Sequence, residues 1–151
     1  MVILVFSFVA SRIFTLERVP QQLTDVLLGT FDSPILILLM VNIFLILLGM
    51  IMDDVSVIAI ISPLMVPVMA EIGVDAVHFA AIIGTSVVIG ANSPPMAPIL
   101  FMSCRVGGVT ISNVIKPAFY FMAFAAFPVM LVTTYWSPLA LFLPRAFGFI
   151  E

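Results

Sequence analysis

An uncharged run of 26 residues, from Phe79 to Cys104, is interrupted by two adjacent prolines, and this interruption constrains the fold more than any other feature of the chain. About 20 apolar residues in a helix cross the hydrocarbon core of a bilayer, so the run is long enough to span it. Pro94 and Pro95 lack N–H donors, their rings obstruct the preceding turn, and each disfavours helical geometry in the residue before it. The helix is therefore predicted to open between Gly90 and Pro95.

The opening has two possible explanations. A proline that only kinks a packed membrane helix needs no binding site. Within hydrocarbon, however, open backbone is tolerated only where it faces protein or a water-filled cavity. Carbonyl groups freed beside Asn92 and Ser93 would resemble the unwound helices with which transporters bind a small cation or an anionic substrate. Because a glycine, an amide and a hydroxyl precede the proline pair, the sequence favours a site over a simple kink.

Composition indicates a membrane protein. The chain is 64% hydrophobic and 9% charged, with a mean hydropathy of +1.35, far from the balance of a soluble domain. Its five basic residues do not cluster, which argues against nucleic-acid binding. Cys104 is the only cysteine, so no intrachain disulfide can form, and no cofactor or transition-metal site is expected. The N-terminus lacks the basic region of a signal peptide, and Met1 is expected to lie within a span of a larger carrier.

The pattern of apolar and polar segments predicts an all-α polytopic membrane protein. Its parts are the end of a span at 1–14, an interfacial amphipathic arm at 15–32, a hairpin at 33–70, a broken helix at 79–104 and a final span at 117–144. Arg105 and Lys116 are expected to mark the cytoplasmic side, because basic residues concentrate there. The acidic patches at 25–32 and 71–75 would then lie on the opposite side.

The pair Asp53-Asp54 separates the apolar run 33–52 from the run 55–70. If both runs crossed the membrane, the carboxylates would lie in water at little cost. The second run has only 16 residues and contains two prolines, however, so it is a poor crossing. A re-entrant hairpin fits better, with both arms opening to one side and a tip at 49–56 inside the membrane. A carboxylate buried there would cost about 2.5–3.5 kcal/mol and would need a cation, hydrogen-bond donors or a water-filled cavity.

Two other polar residues have ordinary explanations. Asn42 is the strongly polar side chain of its apolar run, and it is predicted to form a hydrogen bond to a neighbouring helix. His78 follows a short acidic connection, and it is expected to be solvated or to cap a helix rather than to relay protons.

Four motifs of the chain occur in the same order in one transporter family. They are Leu-Gly-Met-Ile-Met-Asp at 48–53, Pro-Leu-Met-Val-Pro at 63–67, Gly-Val-Asp-Ala-Val-His-Phe at 73–79, and the stretch from Ile-Gly to Pro-Pro at 89–95. Together they make residues 12–147 resemble the C-terminal part of the large membrane subunit of tripartite ATP-independent periplasmic (TRAP) transporters. The family pattern at the break is close to Asn-x-x-Ile-Gly-x-x-Thr-Pro-Pro-x-Gly. Here Ser86, Ser93 and Ala97 replace its asparagine, its threonine and its last glycine.

The resemblance implies a repeat of the ion-transporter superfamily, in which a re-entrant helical hairpin precedes a discontinuous transmembrane helix. This chain would be the second of two inverted repeats. The implied activity is sodium-coupled import of a small organic acid, such as a C4-dicarboxylate or sialic acid, by an elevator mechanism in the bacterial inner membrane. A small TRAP membrane subunit and a periplasmic substrate-binding protein would be its partners.

The hairpin tip and the break together form the candidate site, since both supply spare carbonyls and small polar groups, and the resemblance makes sodium the expected ion. The candidate cation-binding residues are Gly49, Asp53, Asp54, Gly90, Asn92 and Ser93, and the candidate substrate-binding residues are Ser56, Ser93, Pro94 and Pro95. A helix that begins after Pro95 would direct backbone N–H groups towards a carboxylate.

Alternative functions belong to three classes. One is a carboxylate carrier of the same superfamily that works without a binding protein, such as a citrate or gluconate permease. Another is a truncated membrane fragment without activity. The third is an intramembrane aspartyl enzyme that uses Asp53 or Asp54. That chemistry needs two carboxylates converging from different helices, and adjacent residues point in different directions, so the sequence argues against it.

Overall fold

The computed structural model describes residues 2–30, 33–93 and 97–148, and every regular element in these ranges is helical. The helices are α1 Val2–Leu16, α2 Val19–Thr30, α3 Pro34–Ile51, α4 Asp54–Glu71, α5 Ala76–Ala91, α6 Pro98–Gly107, α7 Ile111–Phe121, α8 Phe127–Tyr135 and α9 Ser137–Ala146. A π-helical segment, Met122–Ala126, joins α7 to α8. These three elements form one continuous helix, Ile111–Tyr135, called the long helix below.

Three helices of the described ranges are long and apolar enough to cross a membrane, namely α3, α4 and the long helix. At ~1.5 Å per residue, the long helix extends for roughly 37 Å, which exceeds the ~30 Å of a hydrocarbon core. α3 and α4 have 18 residues each and are shorter. The all-helical fold expected from the sequence is thus confirmed for the residues that the structure describes.

Helix α5 lies at the centre of the packing and contacts α3, α4 and α8. α3 and α4 contact each other much less than either contacts α5. The apolar core contains Ile37, Val41 and Leu45 of α3, Val57, Ile61, Met65 and Val68 of α4, and Phe79, Ile82, Ile83 and Val87 of α5. Lipid tails are as apolar as these side chains, so close packing rather than exclusion from water stabilises such contacts within a membrane.

α3 and α5 run parallel, and their backbones are in direct contact at two glycines. Asn42 contacts Ser86, and Gly49 contacts Gly90 near the C-terminal ends of the two helices. A Cβ atom added to Gly49 would lie 2.6 Å from the carbonyl oxygen of Val87, closer than such atoms come in proteins. Glycine is required at this crossing because a side chain would force the two backbones apart.

The long helix runs antiparallel to α3 and α5. Ser93, which follows α5, contacts Met122, whereas His78 near the start of α5 contacts Thr133. The C-terminal ends of α3 and α5 therefore lie beside the middle of the long helix. Their N-terminal ends lie beside its C-terminal end.

The π-helical segment has a local cause in the sequence. Pro128 has no N–H with which to bond the carbonyl of Phe124, and its ring crowds that carbonyl. The N–H of Phe127 instead donates to the carbonyl of Met122, five residues earlier. Such π-bulges are uncommon and occur often at functional sites. Here the π-helical segment begins at Met122, which contacts Ser93.

The predicted hairpin at 33–70 corresponds to α3 and α4, which meet at a corner formed by Met52 and Asp53. Both corner residues have extended backbone, and α4 resumes at once. The two arms are therefore separate helices joined by a short connection. Their re-entrant path through a membrane stays a prediction.

The predicted broken helix at 79–104 corresponds to α5, which ends at Ala91, and α6, which begins at Pro98. Pro94 and Pro95, on which that prediction rested, lie outside the described residues. Whether α5 and α6 form one discontinuous transmembrane helix also stays a prediction.

The remaining predicted segments overlap helices with different ends. α1 ends at Leu16 and α2 begins at Val19, within the predicted interfacial arm at 15–32. The predicted final span at 117–144 overlaps the long helix, which starts earlier, and α9. Trp136 separates these two helices with a non-helical backbone.

Replacing Gly49 with alanine should destabilise the bundle, because overpacking of a well-packed contact costs about 1–3 kcal/mol. Gly84→Ala in α5 is the matched control, since a Cβ atom there meets nothing within 4 Å. Thermal unfolding of the detergent-purified protein should show a lower midpoint for Gly49→Ala and an unchanged or higher one for Gly84→Ala. Equal midpoints would show that the glycine contact is not needed.

Candidate functional site

The end of α3 meets the end of α5, and these ends belong to the hairpin tip and the break from which the candidate site was predicted. The direct contact of Gly49 with Gly90 brings the corner after α3 and the residues after α5 to one end of the bundle core. Both glycines are buried, Asn92 and Ser93 are half-buried, and the Asp53 side chain is exposed. The geometry thus joins two segments that lie about 40 residues apart in the sequence.

Asp53 caps the N-terminus of α4. Its carboxylate accepts the backbone N–H of Ser56 at 3.0 Å and the Ser56 hydroxyl at 2.7 Å. The first bond satisfies an N–H that has no partner inside the helix, and both bonds favour the ionised carboxylate. Ser56, a candidate substrate-binding residue, is buried and already donates its hydroxyl hydrogen. Asp54 lies in the first turn of α4, where a negative charge complements the helix dipole.

Asn92 and Ser93 bond back to the last turn of α5. Nδ2 of Asn92 donates to the carbonyl of Val88 at 2.8 Å, and Oγ of Ser93 donates to the carbonyl of Ile89 at 2.7 Å. These side chains therefore occupy some of the carbonyl groups that the sequence analysis treated as free. Oδ1 of Asn92 and Oγ of Ser93 still have the acceptor capacity that binding a cation requires.

A cavity of about 550 Å³ lies beside Ser93, between the ends of α3 and α5 and the middle of the long helix. Its large apolar side chains are Met50, Ile89, Phe119, Met122 and Phe127. Among the described residues that line it, Ser93 alone is polar. A second cavity of about 260 Å³ shares Ile89 and Met122 with the first and is also lined by Asn92. Neither cavity was predicted from the sequence.

A buried polar cluster joins α3, α5 and α8 on the N-terminal side of the glycine contact. Oδ1 of Asn42 in α3 accepts the Ser86 hydroxyl of α5 at 2.7 Å, and Nδ2 of Asn42 donates to Oγ1 of Thr134 in α8 at 3.1 Å. Each side chain is at most 1% exposed. The interhelical bond predicted for Asn42 is confirmed. Its partners were missed, because a lone hydroxyl in an apolar segment does not reveal which helix it faces. These three residues are called the Asn42 cluster.

His78 caps the end of the long helix. The ring is buried, and its Nε2 lies 2.8 Å from the carbonyl oxygen of Thr133. Because a carbonyl only accepts, Nε2 carries the hydrogen. Thr133 lies in the last turn of α8, where carbonyls lack partners inside the helix. Of the two roles expected for His78, the capping role is therefore confirmed and the solvated role is wrong.

Ala97 departs from the family pattern at a position with unusual backbone. It precedes α6 with φ +35° and ψ +51°, in the left-handed region, and it is buried. Glycine reaches this region freely, whereas a Cβ atom costs about 1–2 kcal/mol there. The glycine of the family pattern suits this conformation better than the alanine present here.

Sequence comparison identifies the family. The family model described as "Tripartite ATP-independent periplasmic transporter, DctM component" matches residues 1–139. Because the match covers most of the chain, the chain belongs to this family, as the motifs predicted. Together with the three apolar helices, this indicates a multi-pass membrane protein. Members of the family are transporters and not enzymes, so the aspartyl-enzyme alternative is excluded.

Several relatives carry names that state a substrate. The chain is 33% identical over 144 residues to the isethionate TRAP transporter permease protein DctMQ of Oleidesulfovibrio alaskensis, covering 94% of this chain and 22% of the relative. It is 29% identical over 143 residues to the sialic acid TRAP transporter large permease protein SiaM of Vibrio cholerae, covering 95% and 32%. It is 29% identical over 149 residues to the C4-dicarboxylate TRAP transporter large permease protein DctM of Pseudomonas aeruginosa, covering 98% and 34%. The chain thus spans about a third or less of these relatives.

Removing a hydroxyl from the Asn42 cluster should destabilise the protein by about 0.6–2 kcal/mol, the range for interhelical hydrogen bonds in membranes. Thr134→Val deletes the Oγ1 that bonds to Asn42, and Thr85→Val is the matched control, since the Thr85 hydroxyl bonds to carbonyls of its own helix. Unfolding in detergent should show the larger loss for Thr134→Val. Combining Ser86→Ala with Thr134→Val should give a non-additive loss, and strictly additive losses would contradict a shared cluster.

Proposed function

We propose that this chain forms part of the large permease of a TRAP transporter that imports a small organic acid together with sodium. Family membership supports a transport role, and the relatives are named for isethionate, sialic acid and C4-dicarboxylates. The observation that carries the proposal is the meeting of the ends of α3 and α5 beside the middle of the long helix. Carriers with discontinuous helices bind substrate and coupling ion at such meeting points.

The dimensions of the long helix support a re-entrant path for α3 and α4. A helix of this length crosses the hydrocarbon core, so its middle would lie near the centre of the bilayer. Met122 stands next to that middle position and contacts Ser93. If the long helix spans the membrane, the Asp53 corner lies at mid-depth and α4 returns to the side from which α3 entered.

Contacts at the C-terminal end of the long helix support a proposal for the side of the membrane to which the hairpin opens. The Tyr135 hydroxyl donates to the carbonyl of Ile35 at the start of α3, at 3.2 Å, and Thr133 contacts His78, which follows α4. α6 packs instead against α7, at the opposite end of the long helix. With Arg105 on the cytoplasmic side, the hairpin would open towards the periplasm of a bacterial inner membrane.

The proposed sodium site uses oxygen atoms from both helix ends. Backbone carbonyls at Gly49 and Gly90 and the side-chain oxygens of Asn92 and Ser93 are the type of ligand that unwound helices offer to sodium. The carboxylates of Asp53 and Asp54 would supply negative charge nearby. Sodium entry would draw on the membrane potential, worth ~2.3 kcal/mol per charge per 100 mV.

An elevator mechanism requires that the helices around the site move as one unit. The glycine contact joins α3 to α5, and the Asn42 cluster joins both to α8, which supports such a unit. The proposed substrate-binding residues are Ser93, Pro94 and Pro95, with Ser56 at the start of α4. The proposed partners are a small membrane subunit and a periplasmic substrate-binding protein that delivers the acid.

Asn92→Ala and Ser93→Ala should each raise the sodium concentration for half-maximal organic-acid uptake by about tenfold, equivalent to ~1.4 kcal/mol for one lost ligand. Uptake is measured in proteoliposomes that hold the assembly purified from its own membrane through a tag on this chain. Ser103→Ala is the control, because the Ser103 hydroxyl donates to the carbonyl four residues earlier, as Ser93 does. Unchanged sodium dependence in both site variants would reject this cation site.

Accessibility of single cysteines tests the re-entrant path in a Cys104→Ser background. Ser33→Cys and Asp75→Cys should react with an impermeant thiol reagent from one side of the membrane, and Gly108→Cys from the other. Met52→Cys, at the corner, should react far more slowly than Gly108→Cys from the Gly108 side, because a re-entrant tip stops at mid-depth. Equal reaction of these two from that side would indicate two full crossings instead.

A further inference from the structure

The cavity beside Ser93 is open on one side, and the walls that the described residues supply are largely apolar. Large apolar side chains dominate the lining, and among the described lining residues the Ser93 hydroxyl is the polar exception. Its volume of about 550 Å³ is within the range of small-molecule sites in proteins. The cavity also adjoins the proposed cation site, since Met50 follows Gly49 directly and Ser93 belongs to both.

A polyhydroxylated ligand would be poorly matched to these walls. A hydroxyl placed against Met50, Phe119 or Phe127 would lose its water and gain no hydrogen-bond partner. A hydrocarbon or aromatic body fills the same volume without that loss. Phenylalanine rings and flexible methionine side chains also make favourable contacts with such groups.

Two hydrogen-bond donors lie near the larger cavity: Ser93 lines it, and Asn92 lines the adjoining smaller cavity. The Ser93 hydroxyl has one hydrogen, for which the carbonyl of Ile89 at 2.7 Å and Sδ of Met122 at 3.6 Å compete. A carboxylate would accept that hydrogen in place of these acceptors, because hydrogen bonds to a charged acceptor are stronger. Nδ2 of Asn92 has a second N–H besides the one that it donates to Val88. Met122 lines both the larger cavity and the smaller one that Asn92 borders. These donors suit a single carboxylate rather than a series of hydroxyls.

We propose that the larger cavity holds the hydrocarbon or aromatic body of a monocarboxylate whose carboxylate lies at Ser93 and Asn92. The transporter therefore prefers acids with an apolar body to polyhydroxylated acids of the same length. This inference rests on the proposed organic-acid transport and adds the substrate class to it. The relative named for sialic acid, a polyhydroxylated acid, is accordingly a poor guide to this substrate.

Hexanoate and gluconate are suitable probes, because both are six-carbon monocarboxylates and gluconate carries five hydroxyls. Their binding to the purified assembly, isolated from its own membrane through a tag on this chain, is measured by equilibrium binding of the radiolabelled acids in sodium. Excess unlabelled acid corrects for partition into detergent. Hexanoate should bind at least about tenfold more tightly than gluconate.

Two variants link this preference to the cavity. Ala123→Phe places a ring in the larger cavity and should weaken hexanoate binding by at least about tenfold. Ala80→Phe is the matched control at an exposed position of α5, and it should leave binding unchanged. Met122→Ser adds a hydroxyl to the cavity wall without filling the cavity. It should therefore reduce the preference for hexanoate, so that the affinities for hexanoate and gluconate become more similar.

The outcomes separate this inference from the proposed function. The assigned substrate class is wrong if gluconate binds as tightly as hexanoate. It is also wrong if Ala123→Phe leaves hexanoate binding unchanged and Met122→Ser leaves the ratio of the two affinities unchanged. If succinate or N-acetylneuraminate binds and hexanoate does not, the class is also wrong while organic-acid transport stands. If a folded assembly binds none of these acids, the proposed function fails, and this inference fails with it.

Discussion

The close approach of α3 and α5 at Gly49 and Gly90 is the contact on which the rest of the structure depends. Two backbones can come this near only where neither residue has a side chain. The contact determines the position of α3 along the axis of α5. It therefore determines how close the corner at Asp53 lies to the residues that follow α5. Without it, the end of α3 and the end of α5 would lie farther apart and no shared site would form.

Polar groups reinforce this arrangement from within an apolar bundle. The Asn42 cluster lies in a buried region where an unpaired amide would be costly, and each buried side-chain nitrogen or oxygen of the described residues has a hydrogen-bond partner. His78 satisfies a carbonyl at the end of the long helix in the same way. These bonds specify which faces of α3, α5 and α8 meet, which uniform apolar surfaces would specify poorly.

The same demand for hydrogen-bond partners shapes the candidate site. Asp53, Asn92 and Ser93 all bond to nearby backbone or side-chain groups. Asn92 and Ser93 form these bonds with their hydrogens, so a sodium ion would bind the lone pairs that remain on their oxygens. The local bonds would hold the side chains in place while the ion binds and leaves in each transport cycle.

Local features determined much of this protein from the sequence alone. Apolar runs identified the helical membrane fold, and the carboxylates of Asp53 and Asp75 mark the starts of α4 and α5, because capping depends on neighbouring residues. The motifs around Gly49 and Gly90 identified the family, and they pointed to two segments that the fold brings into contact.

Tertiary structure alone decided how the helices face one another. It joined Asn42 to Ser86 and Thr134, placed the π-helical segment opposite Ser93, and formed the apolar cavity between them. The physical reason is that α3, α4 and α5 are apolar on nearly every side. A helix without a polar face gives no indication of its rotation about its own axis. That rotation follows from the fit of glycines, hydroxyls and large side chains on several helices at once, which a single segment of sequence does not contain.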